Sequence, residues 1–289
     1  MELTNLMNQL SIIDVKNAKN INITGLAYNS QKVEKGQVFV CIKGFKADGH
    51  KFAGQAVENG AVALVVEEFI DALEVPQYKV GDARKALAAL AAAYYDHPTH
   101  KLKTIGITAT NGKTSTSFMT NAILENHGLK TGLMGTVVVK IGDYAEPSEL
   151  TTPESLDLQR FYAKMVDEGV THATMEVSSS ALELKRVGCV DFDIVTLNNI
   201  SREHIDLHSS FEKYFEHKSS LIRDAGADKV AILNLDDAYS ASLINKTKAT
   251  VITIGVEDQS ADVICEELDL STGRAKFNLV IQRDLVTND

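Results

Sequence analysis

The sequence predicts an α/β protein: a small α/β domain over residues 1–100, then a mostly parallel sheet built around a phosphate loop over residues 101–289. Three observations carry this. Short apolar, β-branched runs alternate with helix-period segments, the pattern of parallel strands covered on both faces. The stretch Thr104–Thr116 joins a β-branched strand (Thr104, Ile105, Ile107, Thr108) through the tight turn Asn111-Gly112 to a helix opened by Lys113-Thr114. Polar clusters fall where the strands end, which is where an open α/β sheet presents its ligands.

The first segment reads as a short amphipathic helix at Glu2–Leu10 and strands at Ile21–Tyr28 and Gln37–Ile42. A helix through Phe52, Ala56 and Val57 ends at Asn59-Gly60, and a fully apolar strand, Ala61–Val66, follows. Asp82 is placed to cap an Ala-rich helix, Ala83–Tyr95, that stops before Pro98. Beyond residue 100 the units alternate. Helices are expected at Thr114–His127, Ser155–Glu168 and Phe211–Arg223, and a hairpin at Val137–Tyr144. Strands are expected at Lys130–Gly135, His172–Val177, Phe192–Leu197, Lys229–Asn234 and Thr250–Ile254, with a closing hairpin over Ala261–Gln282.

Composition narrows the function. The chain has 289 residues, enough for about two domains. A net charge of −10 argues against general nucleic-acid binding and against a membrane-surface role, so any polyanion must meet a local cationic site. The three cysteines, Cys41, Cys189 and Cys265, form neither a metal spacing nor a disulfide framework. Met1–Asn20 has no basic region followed by an apolar segment, and the longest small-apolar run, Ala86–Tyr95, is too short to span a bilayer. The expectation is a cytoplasmic protein.

The chemistry concentrates at strand ends. A helix N-terminus offers unpaired N–H groups and a positive dipole to phosphate. Lys113 adds a point charge, and Thr114 or Ser115 a hydroxyl for Mg²⁺. The strict pattern wants Gly where Ile107 stands, and Gly106 comes one residue early, so a plain strand-to-helix turn is the competing reading. Glu176 ends an apolar strand, a costly place for an unpaired carboxylate, which suggests a Mg²⁺ ligand against a strand-end acid reaching water. His204 and His208 flank Asp206 without a fourth ligand for zinc, and His208 suits Mg²⁺ or a plain structural imidazole equally. Lys218 lies on an apolar helix, where a lysine is more often a snorkelling side chain. Thr151-Thr152-Pro153-Glu154-Ser155 reads structurally as a helix cap, and Arg186 as a carboxylate or phosphate clamp or a surface residue.

Taken together these segments resemble the Mur ligases. Ala109-Thr110-Asn111-Gly112-Lys113-Thr114 is similar to the family's phosphate loop. Thr151–Gln159, Met175–Ser179, Asn199–Asp206 and the run to Lys218 are similar to the members that add the third residue of the peptidoglycan stem. In the first domain the likeness rests on Asn29–Val33 with Gly36, on Ile42–Gly44 and on Asp48–His50.

The resemblance implies an ATP- and Mg²⁺-dependent, ADP-forming ligase acting on UDP-N-acetylmuramoyl-L-alanyl-D-glutamate through an acyl phosphate, with diaminopimelate or lysine as the amino acid. Carried over residue by residue, Ala109–Ser115 and Asn199 would bind ATP, with Lys113 and Lys218 catalytic. Ser30 would contact the uridine portion, and Thr151, Thr152, Ser178 and Arg186 the sugar-peptide. Thr114, Glu176, His208 and a carbamylated Lys218 would serve the metal. Ala109 stands in place of a family Gly, Ser180 in place of His, Glu203 in place of Asp, and Asn29-Ser30-Gln31 in place of Asp-Ser-Arg. The family's third, C-terminal domain is expected to be absent, making the chain a fragment or truncated member. Competing readings are a folylpolyglutamate synthetase-like ligase, a non-catalytic UDP-sugar-binding protein and an unrelated phosphate-loop ATPase.

Overall fold

The computed structural model describes residues 1–44, 47–201, 210–271 and 273–284. The chain packs as two compact units: Met1–Lys101 joined by Pro153–Asp167 and Leu184–Val190, and the remainder.

In the first unit, strands β1 (Ile12–Lys16), β2 (Gly25–Ala27), β3 (Gln37–Val40), β4 (Ala63–Val66) and β5 (Gln77–Val80) form one sheet in the order β1-β5-β4-β3-β2. The ladder is parallel from β2 to β5, and β1 is antiparallel at the edge. Alternate residues serve opposite faces. Val38, Val40, Ala63 and Val65 pack with helices α1 (Leu3–Met7) and α3 (Ala83–Tyr94), while Phe39, Leu64 and Val66 pack with α2 (Ala53–Glu58). Burial on both faces is why these strands are continuously apolar. Asp82 caps α3 as expected, accepting the N–H groups of Arg84 and Lys85. Helix α5 (Ser155–Asp167) lies beside α3 and buries Leu158, Tyr162 and Met165 at helical spacing.

Two strands of this unit were not evident in the sequence. β1 is a mostly exposed edge. β5 opens on Gln77, a polar residue that reads as loop. Gln77 is fully buried, with its amide bonded to Ile70 N–H and to the Ile70 and Leu73 carbonyls. The expected strand Ile21–Tyr28 shortens to three paired residues.

The second unit contains β6 (Lys103–Thr108), β7 (Thr131–Met134), β8 (Val138–Ile141), β9 (Tyr144–Pro147), β10 (His172–Glu176) and β11 (Ile194–Leu197). It continues with β12 (Val230–Asn234), β13 (Thr250–Gly255), β14 (Val263–Asp269) and β15 (Lys276–Ile281). They form a ten-stranded sheet, β15-β14-β13-β12-β11-β6-β10-β7-β8-β9, parallel from β14 to β7 and antiparallel at both margins. Its helices include α4 (Lys113–Asn126), the one-turn α6 (Ser179–Glu183) and α7 (Phe211–Arg223). β6 lies between β10 and β11, so the sheet order reverses at its carboxyl end and a crevice opens there. Among the described residues, no helix is long and apolar enough to cross a membrane.

Gly106 is a packing residue of β6. A Cβ at this position would lie 2.9 Å from two ring carbons of Phe192, which explains a glycine one residue ahead of the strict phosphate-loop pattern. Gly106→Ala is expected to destabilise the protein by about 1–3 kcal/mol through overpacking. Adding Phe192→Leu should recover most of that loss in denaturant titrations.

Candidate functional site

A cleft of about 330 Å³ opens at the carboxyl ends of β6 and β10, lined by Thr110–Ser115, Thr136, Thr151 and Glu176. The turn between β6 and α4 forms its floor. Gly112 has φ +86°, and a Cβ there would meet no atom within 4 Å, so glycine is needed for the backbone conformation and not for space. Ala109, where the related loops have Gly, is not one of the positive-φ residues, so alanine fits without strain.

The N–H groups of Thr110 and Asn111 and the carbonyls of Ala109, Thr110 and Asn111 are matched from within the unit. The Asn199 side chain accepts the N–H of Asn111 and donates to its carbonyl, both at 3.0 Å. The Thr110 N–H goes to the Asn199 carbonyl at 2.9 Å. Lys113 Nζ turns back onto the carbonyls of Ala109 and Thr110, each at 3.0 Å. Burial holds its ammonium below the usual lysine range, an effect partly opposed by Glu176.

Glu176 is fully buried, which overturns the picture of a strand-end acid reaching water. Nor is it unpaired. Its carboxylate accepts the Thr114 hydroxyl at 3.0 Å, and the N–H and hydroxyl of Thr136, each at 3.0 Å. Gly135 makes room for it, since a Cβ there would fall 2.2 Å from Oε1. Thr136 and Gly135 carried no sequence signal, because their role depends on a partner some forty positions away. The Thr114, Thr136 and Glu176 oxygens are hard donors of the kind Mg²⁺ takes. Among the described residues no group of three or more His, Cys, Asp or Glu could hold a metal ion. His204, Asp206 and His208 lie outside the described residues.

Lys218 is 2% exposed and does not snorkel to solvent. Its Nζ donates to the Ala109 carbonyl at 2.6 Å and to the Thr108 hydroxyl at 3.2 Å. Burial, reinforced by the nearby Lys113 charge, pushes its ammonium down to about 7. It does not line the cleft but lies against the loop that forms its floor.

Thr151 also lines the cleft, its hydroxyl 3.1 Å from that of Thr136. Thr152 is fully buried. Its hydroxyl donates to the Glu176 carbonyl at 2.8 Å and accepts the Ser178 N–H at 3.0 Å, tying the strand end. The Ser178 hydroxyl accepts the Ala181 N–H and pairs with Ser180 at 3.2 Å, a contact that the Ser180 departure makes possible.

Ser30 and Arg186 belong to the first unit. Ser30 lines a separate cleft of about 340 Å³ with Tyr28, Gln31, Phe39, Phe52 and Gln55, and its hydroxyl donates to Gln55 at 2.9 Å. Arg186 is paired with Glu154 at 2.8 Å, and Glu154 also meets Arg84 at 3.4 Å.

Residues 107–287 match the Mur ligase middle domain, and residues 22–95 match the Mur ligase family, catalytic domain. The chain belongs to the Mur ligase family. It is 44% identical over 270 residues to the UDP-N-acetylmuramoyl-L-alanyl-D-glutamate–2,6-diaminopimelate ligase of Caldanaerobacter subterraneus subsp. tengcongensis, covering 93% of this chain and 55% of that protein. It is 43% identical over 287 residues to the ligase of the same name from Bacillus velezensis, covering 97% of this chain and 58% of that one. A solved structure of such a ligase superposes with a TM-score of 0.78 at 28% identity, over 90% of this chain and 54% of the other. The chain thus spans a little over half the length of the curated relatives it matches.

The depressed Lys218 value has a consequence for stability. The unfolded chain, with lysine near its ordinary value of about 10.4, binds this proton more tightly than the folded protein does. This site therefore costs stability fully below about pH 7, and the cost fades as pH rises towards 10. In CO₂-free buffer, the stability difference between wild type and Lys218→Met should move in favour of the wild type as pH is raised from 7 to 9. The shift should approach, and not exceed, about 1.4 kcal/mol per pH unit. Parallel curves in denaturant titrations would contradict the burial assigned to this amine.

Proposed function

We propose that the chain supplies the UDP-substrate- and nucleotide-binding units of an ATP-dependent ligase of peptidoglycan synthesis. In this reading residues 1–100 form the UDP-substrate-binding domain and residues 101–289 the ATP-binding domain. The ligase joins 2,6-diaminopimelate, the amino acid in the relatives' names, to UDP-N-acetylmuramoyl-L-alanyl-D-glutamate. One observation carries the reading: a single cleft combines a helix N-terminus, Lys113 and the Thr114–Glu176 oxygen pair.

The chemistry joins two anions. A D-glutamyl carboxylate oxygen attacks the γ-phosphorus of ATP, the bond to ADP breaks, and an acyl phosphate forms. The incoming amine then attacks the acyl carbon, phosphate leaves, and the ammonium proton passes to solvent. The N–H groups opening α4 and the Lys113 ammonium hold the phosphates and stabilise their charge through transfer. Asn199 fixes the loop and serves the nucleotide, and Ser115 adds a hydroxyl beside it. Thr114 and Glu176 would hold Mg²⁺, with His208 as a further ligand. When bound, Mg²⁺ would supply positive charge that offsets the charge of the phosphates.

Ser30 takes the uridine portion, and Thr151, Thr152, Ser178 and Arg186 the sugar-peptide. A lysine brought down to about 7 is substantially neutral at physiological pH, as an amine must be to attack CO₂. Carbamylation of the neutral Lys218 amine, with one proton released to solvent, would turn it into an anion and supply a further oxygen donor for Mg²⁺. The reaction places the protein in the cytoplasm.

Calorimetry with Mg²⁺-ATP should show binding that Lys113→Met weakens by about 10- to 100-fold, the loss of a charge-assisted contact. ADP release is expected only when the UDP-dipeptide and diaminopimelate are both present. ATP hydrolysis indifferent to the UDP-dipeptide would contradict the ligase reading.

A further inference from the structure

Tyr214 is 1% exposed, and its ring is among the largest side chains in the interior. A phenol buried this deeply needs a partner for its hydroxyl. It has one in the phosphate loop: the hydroxyls of Tyr214 and Thr110 lie 2.9 Å apart. Thr110 is itself 3% exposed, and its hydroxyl also accepts the Ser201 N–H at 2.9 Å.

One turn further along α7 is Lys218, on the same helix face because i and i+4 positions align. Lys218 reaches Thr108 and Ala109, and Tyr214 reaches Thr110, so one helix holds three successive residues of the strand-to-loop junction. Asn199 holds the fourth, Asn111, at both its N–H and its carbonyl.

We infer that Tyr214 is a positioning residue of the nucleotide site, an inference that rests on the nucleotide reading of this cleft. Packing alone would be met by phenylalanine at this position. The hydroxyl adds the constraint on Thr110: with Ser201 N–H on one side and Tyr214 on the other, the Thr110 side chain has a single satisfied orientation. That orientation sets the backbone leading into Asn111 and Gly112, whose N–H groups must be aimed before phosphate arrives. Tyr214 touches no phosphate itself and acts through Thr110.

The test is a double-mutant cycle of Tyr214→Phe and Thr110→Val, read by calorimetry with ADP and Mg²⁺. Amide hydrogen exchange at Thr110, Asn111 and Ser201 is measured alongside, without ligand. Each single substitution should weaken ADP binding by about three- to tenfold, the worth of one neutral hydrogen bond. The double variant should be little worse than Thr110→Val alone, because Thr110→Val already removes the Tyr214 contact along with the one to Ser201. Tyr214→Phe should also speed exchange at the three amides while leaving UDP binding in the first unit unchanged. A Tyr214→Phe protein that matches wild type in both ADP affinity and amide exchange would overturn the inference, and so would fully additive losses. If the wild type bound no ADP, the nucleotide reading would fail and amide exchange alone would decide whether Tyr214 orders the loop.

Discussion

The second unit depends on how the turn Ala109–Gly112 is held. A phosphate cradle must point its N–H groups outward, which sends its carbonyls inward, where each needs a donor. Here the Ala109 carbonyl receives both Lys113 and Lys218, the Thr110 carbonyl receives Lys113, and the Asn111 carbonyl receives Asn199. Burial, reinforced by the Lys113 ammonium on the same carbonyl, is why Lys218 binds its proton weakly. The turn is thus fixed by long-range side-chain contacts more than by its own sequence.

The sheet order explains where those contacts come from. Because β6 lies between β10 and β11, its loop is flanked by the ends of both neighbours. β10 delivers Glu176 to one side, and the residues after β11 deliver Asn199 to the other. Gly135, immediately after β7, leaves the space that the Glu176 carboxylate fills. Each strand end contributes one element of the cleft, so a change of register in any of them would misplace a polar group that has a single partner set.

Local features were legible in the sequence and distant pairings were not. The strand Thr104–Thr108, the turn at Gly112 and the start of α4 at Lys113 are written in consecutive residues. So is the cap of α3 by Asp82. The position of Glu176 at a strand end could be read, but its satisfied state could not, because Thr114 and Thr136 lie 62 and 40 residues away. Tyr214 gave no signal at all, since a tyrosine on an amphipathic helix reads as core and its partner is 104 residues distant. β5 was missed for a related reason: the apolar pattern that marks a buried strand is broken by Gln77, whose amide is bonded to a loop. The ion pair of Arg186 with Glu154 joins residues 32 apart and was likewise invisible.

The most direct test of the whole account is a crystal structure of the chain with ADP and Mg²⁺. The account predicts the phosphates at the N-terminus of α4, with Lys113 Nζ moved from the Ala109 and Thr110 carbonyls onto a phosphate oxygen. It also predicts the Thr114 hydroxyl on Mg²⁺ while Tyr214 still holds Thr110. Nucleotide bound elsewhere, or Lys113 unmoved with phosphate present, would contradict it.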